Sequence, residues 1–350
     1  MKYANVYIES IGCEIAPVVV TSAELEDRLE GLYRALHLSS GQLEALTGII
    51  ERRWWEPGYR LSDGATAAGR RALAASHLGA EEIDVLIYGG VCREYFEPAT
   101  ACRVAALLGV GQEIAVYDVS NACLGVLTGM VEIANRIELG QIRSGMVVSC
   151  ETAREINEIM IDQMLKDKSM ECFKRSLATL TGGSGAVAVL LTDGTLSTSK
   201  ERRLVGGANR TAPHHHDLCR WGIEPVELTG NRQFAQFTST DATAVLTHGV
   251  ELGKRTWQDF SRRLGWDHEH VNKVICHQVG AAHRETMLKS LSIPESKDFS
   301  TFAYLGNMGT VSLPLTAALA EDRSFLERGD RVALLGIGSG LNCMMLGVEW

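Results

Sequence analysis

The sequence predicts an α/β fold in which helices pack over a sheet and the whole arrangement is laid down twice in tandem. Three observations carry this. Short apolar runs bounded by turn residues recur along the chain, stretches with helical spacing lie between them, and the two halves repeat the same order of features. The apolar runs are Val85–Tyr88 before Gly89-Gly90, Met146–Ser149 after Gly145, Ala186–Leu191 before Asp193-Gly194, Val274–Cys276, and Val332–Leu335 before a glycine cluster. Each has the length and the unbroken apolarity of a strand covered on both faces. The helical stretches are Gly64–His77, Ala99–Leu108, Leu124–Leu139, Leu246–Leu264 and Leu313–Ala320, and alternation of the two kinds of segment implies helices layered on a sheet.

The two halves echo each other in the same order. In the first half, strand Val85–Tyr88 is followed by Asn121-Ala-Cys, an apolar helix, Gly145 and strand Met146–Ser149. In the second, strand Val274–Cys276 is followed by Asn307-Met-Gly, an apolar helix, Gly329 and strand Val332–Leu335. A two-copy duplication with its seam after the Gly182-Gly183-Ser184-Gly185 turn gives halves 1–185 and 186–350. The charged, Met-rich stretch over about 154–180 suits an excursion across one end of the sheet, either a lid or plain surface helices.

Composition narrows the function. With 34 Lys+Arg against 43 Asp+Glu, a net charge of −9 and no basic stripe, the chain lacks the footprint of a nucleic-acid binder. No run reaches the ~18 apolar residues that span a bilayer. Glu9 and Glu14 interrupt the N-terminal apolar stretch, so no signal peptide is expected, and the reading is a cytoplasmic protein with no membrane partner. Nine cysteines, an odd number without a C-x-x-C pair, make neither a disulfide framework nor a zinc ribbon, and no metal site is expected. Most therefore read as small buried hydrophobes, which raises the question whether one differs.

Cys123 does. In Ser120-Asn121-Ala122-Cys123-Leu124-Gly125 it follows the strand-like Ile114–Val119 and opens a helix, where unpaired N–H groups favour a thiolate; the alternative is a packing cysteine. His277 ends an apolar strand in Val-Ile-Cys-His-Gln-Val-Gly, at the edge where α/β folds place ligands, or else is a solvated or capping histidine. Asn307, in Leu305-Gly-Asn-Met-Gly-Thr, taken alone reads as an N-cap. Gly336-Ile-Gly338-Ser339-Gly340 allows close backbone approach to a ligand. His214-His215-His216 on a Pro-initiated loop cannot all face one metal and reads as solvated, and His268, His270 and His283 read as surface or capping residues.

In this order, Asn-Ala-Cys, Cys-His-Gln, Gly-Asn-Met-Gly-Thr and a C-terminal Gly-x-Gly-x-Gly resemble the thiolase superfamily over essentially the whole chain. The resemblance points to the β-ketoacyl-ACP synthase III branch and its relatives, the head-to-head acyl-CoA condensing enzymes of the OleA type. It implies the duplicated five-layer αβαβα fold, a homodimer, no cofactor beyond acyl-CoA as substrate, Cys123 as acyl-accepting nucleophile, and His277 with Asn307 as donors to a thioester enolate. The backbone N–H of Cys123 and one from the Gly338-Ser339 turn would form the oxyanion hole.

The sequence departs from the synthase III pattern at three places. Gln42 stands where that branch carries a CoA-stacking tryptophan, which leaves Trp54 or Trp55 beside Arg52 and Arg53, with Arg154, as candidates for gripping CoA. Gly280 replaces an asparagine three residues after the histidine. Glu97, in Tyr95-Phe96-Glu97-Pro98, replaces an aromatic that crosses the dimer into the partner's acyl pocket, and in OleA-type enzymes the residue 26 positions before the cysteine is a glutamate thought to act as base. The resemblance thus implies first a synthase III-type enzyme of fatty acid biosynthesis, in which a medium-chain acyl group on Cys123 condenses with malonyl-ACP. The alternative is condensation of two fatty acyl-CoAs with Glu97 as base, because a malonyl unit loses CO2 without one whereas an acyl-CoA must lose an α-proton. A non-catalytic subunit is disfavoured by the presence of Cys123, His277 and Asn307 together.

Overall fold

The computed structural model describes residues 1–196, 200–228 and 231–350. Nine strands lie in the order Lys273–Cys276, Arg331–Gly338, Asn342–Glu349, Arg203–Thr211, Val6–Ile15, Gly185–Asp193, Ser144–Glu151, Val85–Gly89 and Ala115–Val119. Val6–Ile15 and Gly185–Asp193 pair along their length, but Val6–Ile15 meets Arg203–Thr211 only through Tyr7 and Arg203. That thin join lets the two ends behave as separate layers.

Side-chain alternation decides what fills the space between them. On Gly185–Asp193, Val187, Val189 and Leu191 face a central apolar cluster, while Ala186, Ala188 and Leu190 face a second one. On Arg331–Gly338, Val332 and Leu334 face the same central cluster, and Ala333 and Leu335 face a third. Helices Gly125–Glu138 and Ser312–Asp322 occupy the centre, Leu61–Ala74 and Thr100–Leu108 cover one outer face, and Ala242–Leu264 and Ala281–Ser290 cover the other. These are the five αβαβα layers of the thiolase-like fold. Strands buried on both faces have no polar side to alternate, which explains their unbroken apolar sequences.

The strands and helices expected from the sequence are all present, with their ends moved by a few residues. Gly185–Asp193 pairs on both edges with first-half strands, Val6–Ile15 on one side and Ser144–Glu151 on the other. Over 154–180 the chain forms helices Arg154–Asp167 and Met170–Leu180, whose Met160, Met164, Phe173 and Leu180 pack with Leu25, Leu29 and Leu32 in a fourth cluster. Among the described residues no helix is long and apolar enough to cross a membrane.

Candidate active site

The turn from strand Ala115–Val119 into helix Gly125–Glu138 carries Cys123. Gly89 and Gly125 let strand Val85–Gly89 and this helix touch backbone to backbone, since a Cβ on Gly89 would stand 2.7 Å from the Gly125 carbonyl carbon. Ala122 has φ 45°, a left-handed conformation that costs an L-residue roughly 1–2 kcal/mol and turns the next side chain out of the strand's path. The helix-start amides are largely spent: Leu124 N–H donates to the Asn121 carbonyl at 2.9 Å, Gly125 to Ala122 at 3.2 Å, and Val126 to Thr310 Oγ1 at 2.7 Å. Burial pushes the Cys123 thiol up to about 12, with contributions from Cys219 and Glu151 in the same direction, and only its own backbone N–H opposes the shift. The expectation of a resting thiolate is therefore corrected. Desolvation outweighs the helix terminus, and Cys123 rests as a thiol.

His277 lies just past strand Lys273–Cys276, its N–H donating to the Leu335 carbonyl at 3.0 Å. Burial lowers its pKa to about 3, and His283 adds to the effect, so the ring is neutral at physiological pH. Gln278 is buried and fixes this corner: its Nε2 donates to the Cys276 carbonyl at 2.6 Å, while its Oε1 accepts from the N–H groups of Thr301 at 2.7 Å and Phe302 at 3.0 Å. Those bonds tie the histidine turn to the segment that leads to Asn307. At Gly280, φ 150° and the Thr47 carbonyl oxygen 2.8 Å from where a Cβ would lie leave no room for the asparagine of related enzymes. His283 is not the surface or capping residue expected. It is 7% exposed, and neither ring nitrogen has a hydrogen-bond partner.

Asn307 is held through its backbone: its N–H donates to the Thr181 carbonyl and its carbonyl accepts from Gly183, both at 2.9 Å. Its Oδ1 accepts from the Gly309 N–H at 3.1 Å, which commits the oxygen and leaves the amide NH2 as the free, donating end. Thr310, three residues on, accepts from the Val126 N–H, three residues past Cys123. From the other side, the position a Gly338 Cβ would take lies 3.4 Å from the Cys123 nitrogen, so the C-terminal glycine turn abuts the Cys123 amide. The Ser339 carbonyl accepts from Asn342 Nδ2 at 3.3 Å, and the same nitrogen reaches Asn121 Oδ1 at 3.1 Å, stitching the Ser339 turn to the Cys123 turn.

The candidates for gripping CoA fare differently. Arg52 is fully buried, donates to Ser22 Oγ at 3.0 Å, and has its pKa lowered to about 10 by burial. Trp54 and Trp55 are buried too, their indole N–H groups donating at 3.1 Å to the carbonyls of Gly182 and Glu151. All three are core residues, and their assignment to CoA is corrected. Arg154 is half-buried, donating to the Trp55 carbonyl at 2.6 Å and lying over the Trp54 ring. Glu97 is exposed beside Phe96, which is 93% exposed. His268 and His270 are exposed, and His215 stacks on His248 with ring centroids 3.9 Å apart. Among the described residues no group of three His, Cys, Asp or Glu could hold a metal ion.

Sequence reasoning missed Glu151, Gln278 and Thr310. The glutamate, buried where Ser-Cys-Glu-Thr ends an apolar strand, was the one with a readable signal, because a carboxylate there must find donors.

Residues 262–350 match the family model described as 3-oxoacyl-[acyl-carrier-protein] synthase III C terminal. The chain is 56% identical to an acyl-CoA:acyl-CoA alkyltransferase of Shewanella oneidensis and 35% identical to one of Xanthomonas campestris, each over 100% of both chains. The chain belongs to the OleA family of thiolase-fold condensing enzymes. The cerulenin-bound Xanthomonas campestris OleA superposes with a TM-score of 0.93 at 36% identity, covering 100% of this chain and 98% of that one. That OleA has also been solved with lauric acid and lauroyl-CoA bound, and as cysteine, glutamate and histidine variants. Its varied glutamate stands 26 positions before its varied cysteine, the separation of Glu97 and Cys123.

These relatives overturn the first expectation. Their names specify acyl-CoA for both substrates, so membership of the OleA family replaces the synthase III reading, and with it malonyl-ACP and fatty acid biosynthesis. The matched stretch 262–350 carries His277 and Asn307 and leaves out Cys123 and Glu97.

Proposed function

We propose that this enzyme condenses two fatty acyl-CoAs head to head. The Cys123 sulfur attacks the first thioester carbonyl; the C–S bond to CoA breaks, and the thiol proton leaves with CoA. Glu97, contributed by the partner subunit of a homodimer, takes an α-proton from the second acyl-CoA. The carbanion attacks the acyl-enzyme carbonyl, a C–C bond forms, the bond to Cys123 breaks, and the sulfur regains a proton. The product is a 2-alkyl-3-oxoacyl-CoA. The backbone N–H groups of Cys123 and Ser339 serve the acyl-transfer oxyanion, while His277 as a neutral imidazole and the Asn307 NH2 stabilise the enolate. No cofactor is needed beyond the substrates, and Arg154 is the remaining candidate for a contact with CoA.

The observation that carries this reading is Glu97, since only a second substrate that must lose a proton calls for a carboxylate there. The relative's lauroyl-CoA complex supports acyl chains of that length as substrates. The test is to supply lauroyl-CoA as sole substrate and identify products by mass. The reading expects free CoA and a product carrying both acyl chains. Product that appears only when malonyl-ACP is added would contradict it.

A further inference from the structure

Residues 90–99 join strand Val85–Gly89 to helix Thr100–Leu108 and carry Glu97 at their exposed tip. From Val91 to Ala99 no backbone N–H donates to another backbone group. Carboxylates hold the loop instead. At its first root Glu151 Oε1 accepts from the Val91 N–H at 2.8 Å and Oε2 from Cys92 at 3.1 Å. At its second root Asp118 Oδ2 accepts from Thr100 at 2.9 Å and Oδ1 from Ala101 at 2.9 Å. Midway, Glu94 Oε1 accepts from the Ser62 N–H at 2.9 Å and from its hydroxyl at 2.6 Å.

The origin of these tethers gives them meaning. Asp118 stands on the strand that runs directly into the Cys123 turn, and Glu151 ends strand Ser144–Glu151, which lies on the other side of Val85–Gly89. A Cβ placed on Gly309, two residues past Asn307, would lie 3.5 Å from the Glu151 carboxyl carbon, so this carboxyl also borders the enolate-binding turn. The loop that bears the base is thus hung at its two roots, by charge-assisted bonds, from the strand that leads to Cys123 and from a carboxyl beside the Asn307 turn.

Resting on the reading of Glu97 as base, we propose that Asp118 and Glu151, with Glu94 and Ser62 as a lesser third tie, are positioning residues for Glu97. They set where its carboxylate is presented, and Asp118 takes no part in acylation. Paired oxygens matter here: Asp118 and Glu151 each accept two N–H groups, one on each oxygen, whereas an amide of the same shape accepts one and sets its NH2 against the other.

The test compares Asp118→Asn, Asp118→Glu, Glu151→Gln, Ser62→Ala and Glu97→Gln in the full-length enzyme, with acylation of Cys123 and release of condensed product measured separately on lauroyl-CoA. Asp118→Asn is expected to acylate within about threefold of wild type yet lose condensation roughly ten- to hundredfold, the scale of a base displaced by about 1 Å. Glu151→Gln is expected to lose condensation on that scale, Asp118→Glu to recover part of the loss, and Ser62→Ala to lose less. Hydrogen exchange should quicken at Val91, Cys92, Thr100 and Ala101 in the variant that loosens each root. Equal losses of acylation and condensation in Asp118→Asn, or wild-type condensation in both Asp118→Asn and Glu151→Gln, would overturn the proposal. If Asp118→Asn does not fold, Ser62→Ala decides: unchanged condensation with unchanged loop exchange overturns the proposal. Wild-type condensation by Glu97→Gln would instead remove the base reading itself, a distinguishable failure.

Discussion

At Cys123 burial sets the chemistry. With the thiol pushed up to about 12, the free enzyme holds almost no thiolate at neutral pH, and alkylation of Cys123 should keep rising with pH past 9. Peptide mass spectrometry after timed iodoacetamide pulses checks this, and a plateau near pH 7 would show a stabilised thiolate instead. A second prediction concerns His283, whose pKa burial lowers to about 4. In the unfolded chain it takes a proton near pH 6.5. The unfolded state therefore binds more protons below that pH, and stability present above about 6.5 is lost as pH falls through 4, with His277 adding to the loss over the same range. Because both His283 nitrogens lack partners, His283→Leu should leave Tm at pH 7 unchanged or higher and flatten its fall in acid. A large loss of Tm at pH 7 would contradict this. Cys123, His277 and Asn307 stand out in the sequence as candidates because each sits at the end of a predicted strand or the start of a predicted helix. The burial of Arg52, Trp54, Trp55 and His283 was not, since no local pattern says which side of a short strand or helix faces the core.

Among the elements, those with a strong period were the readable ones. Helix Gly125–Glu138 and the twice-covered strands stand out in the sequence, whereas strand Val6–Ile15 carries Glu9, Ser10, Gly12 and Glu14 and was not recognised. Its polar residues have tertiary reasons that sequence spacing cannot show. Ser10 Oγ donates to the Ala72 carbonyl at 2.7 Å, and a Cβ on Gly12 would come 2.1 Å from the Ala68 oxygen, where helix Leu61–Ala74 presses on the strand. A similar close approach positions Asn307. A Cβ on Gly183 would stand 2.0 Å from the Leu305 carbonyl oxygen, so Gly183→Ala must shift the backbone that carries Asn307. Condensation should fall roughly tenfold or more, with Cys123 still acylated. Single-turnover acylation beside steady-state product formation measures the split, and unchanged condensation would show that the turn adapts.

For the whole molecule, sequence and structure agree on a duplicated five-layer fold, and the proposed reaction joins Cys123 inside it to Glu97 on an exposed loop. Composition and periodicity cannot choose between a malonyl and an acyl-CoA partner, because both reactions use the same cysteine, histidine and asparagine. The choice rests on Glu97, exposed on the protomer next to Phe96 and Tyr95, as expected of a loop that a second copy of the chain would cover. The most direct measurement is complementation: Cys123→Ala and Glu97→Gln chains are purified separately and also co-expressed, and each preparation is given lauroyl-CoA alone. If Glu97 serves the partner's Cys123, the two separate variants make no condensed product, while mixed dimers, in which one site has an intact Cys123 facing an intact Glu97, do. Mixed dimers as inactive as either parent, or a Glu97→Gln enzyme that condenses on its own, would contradict the account.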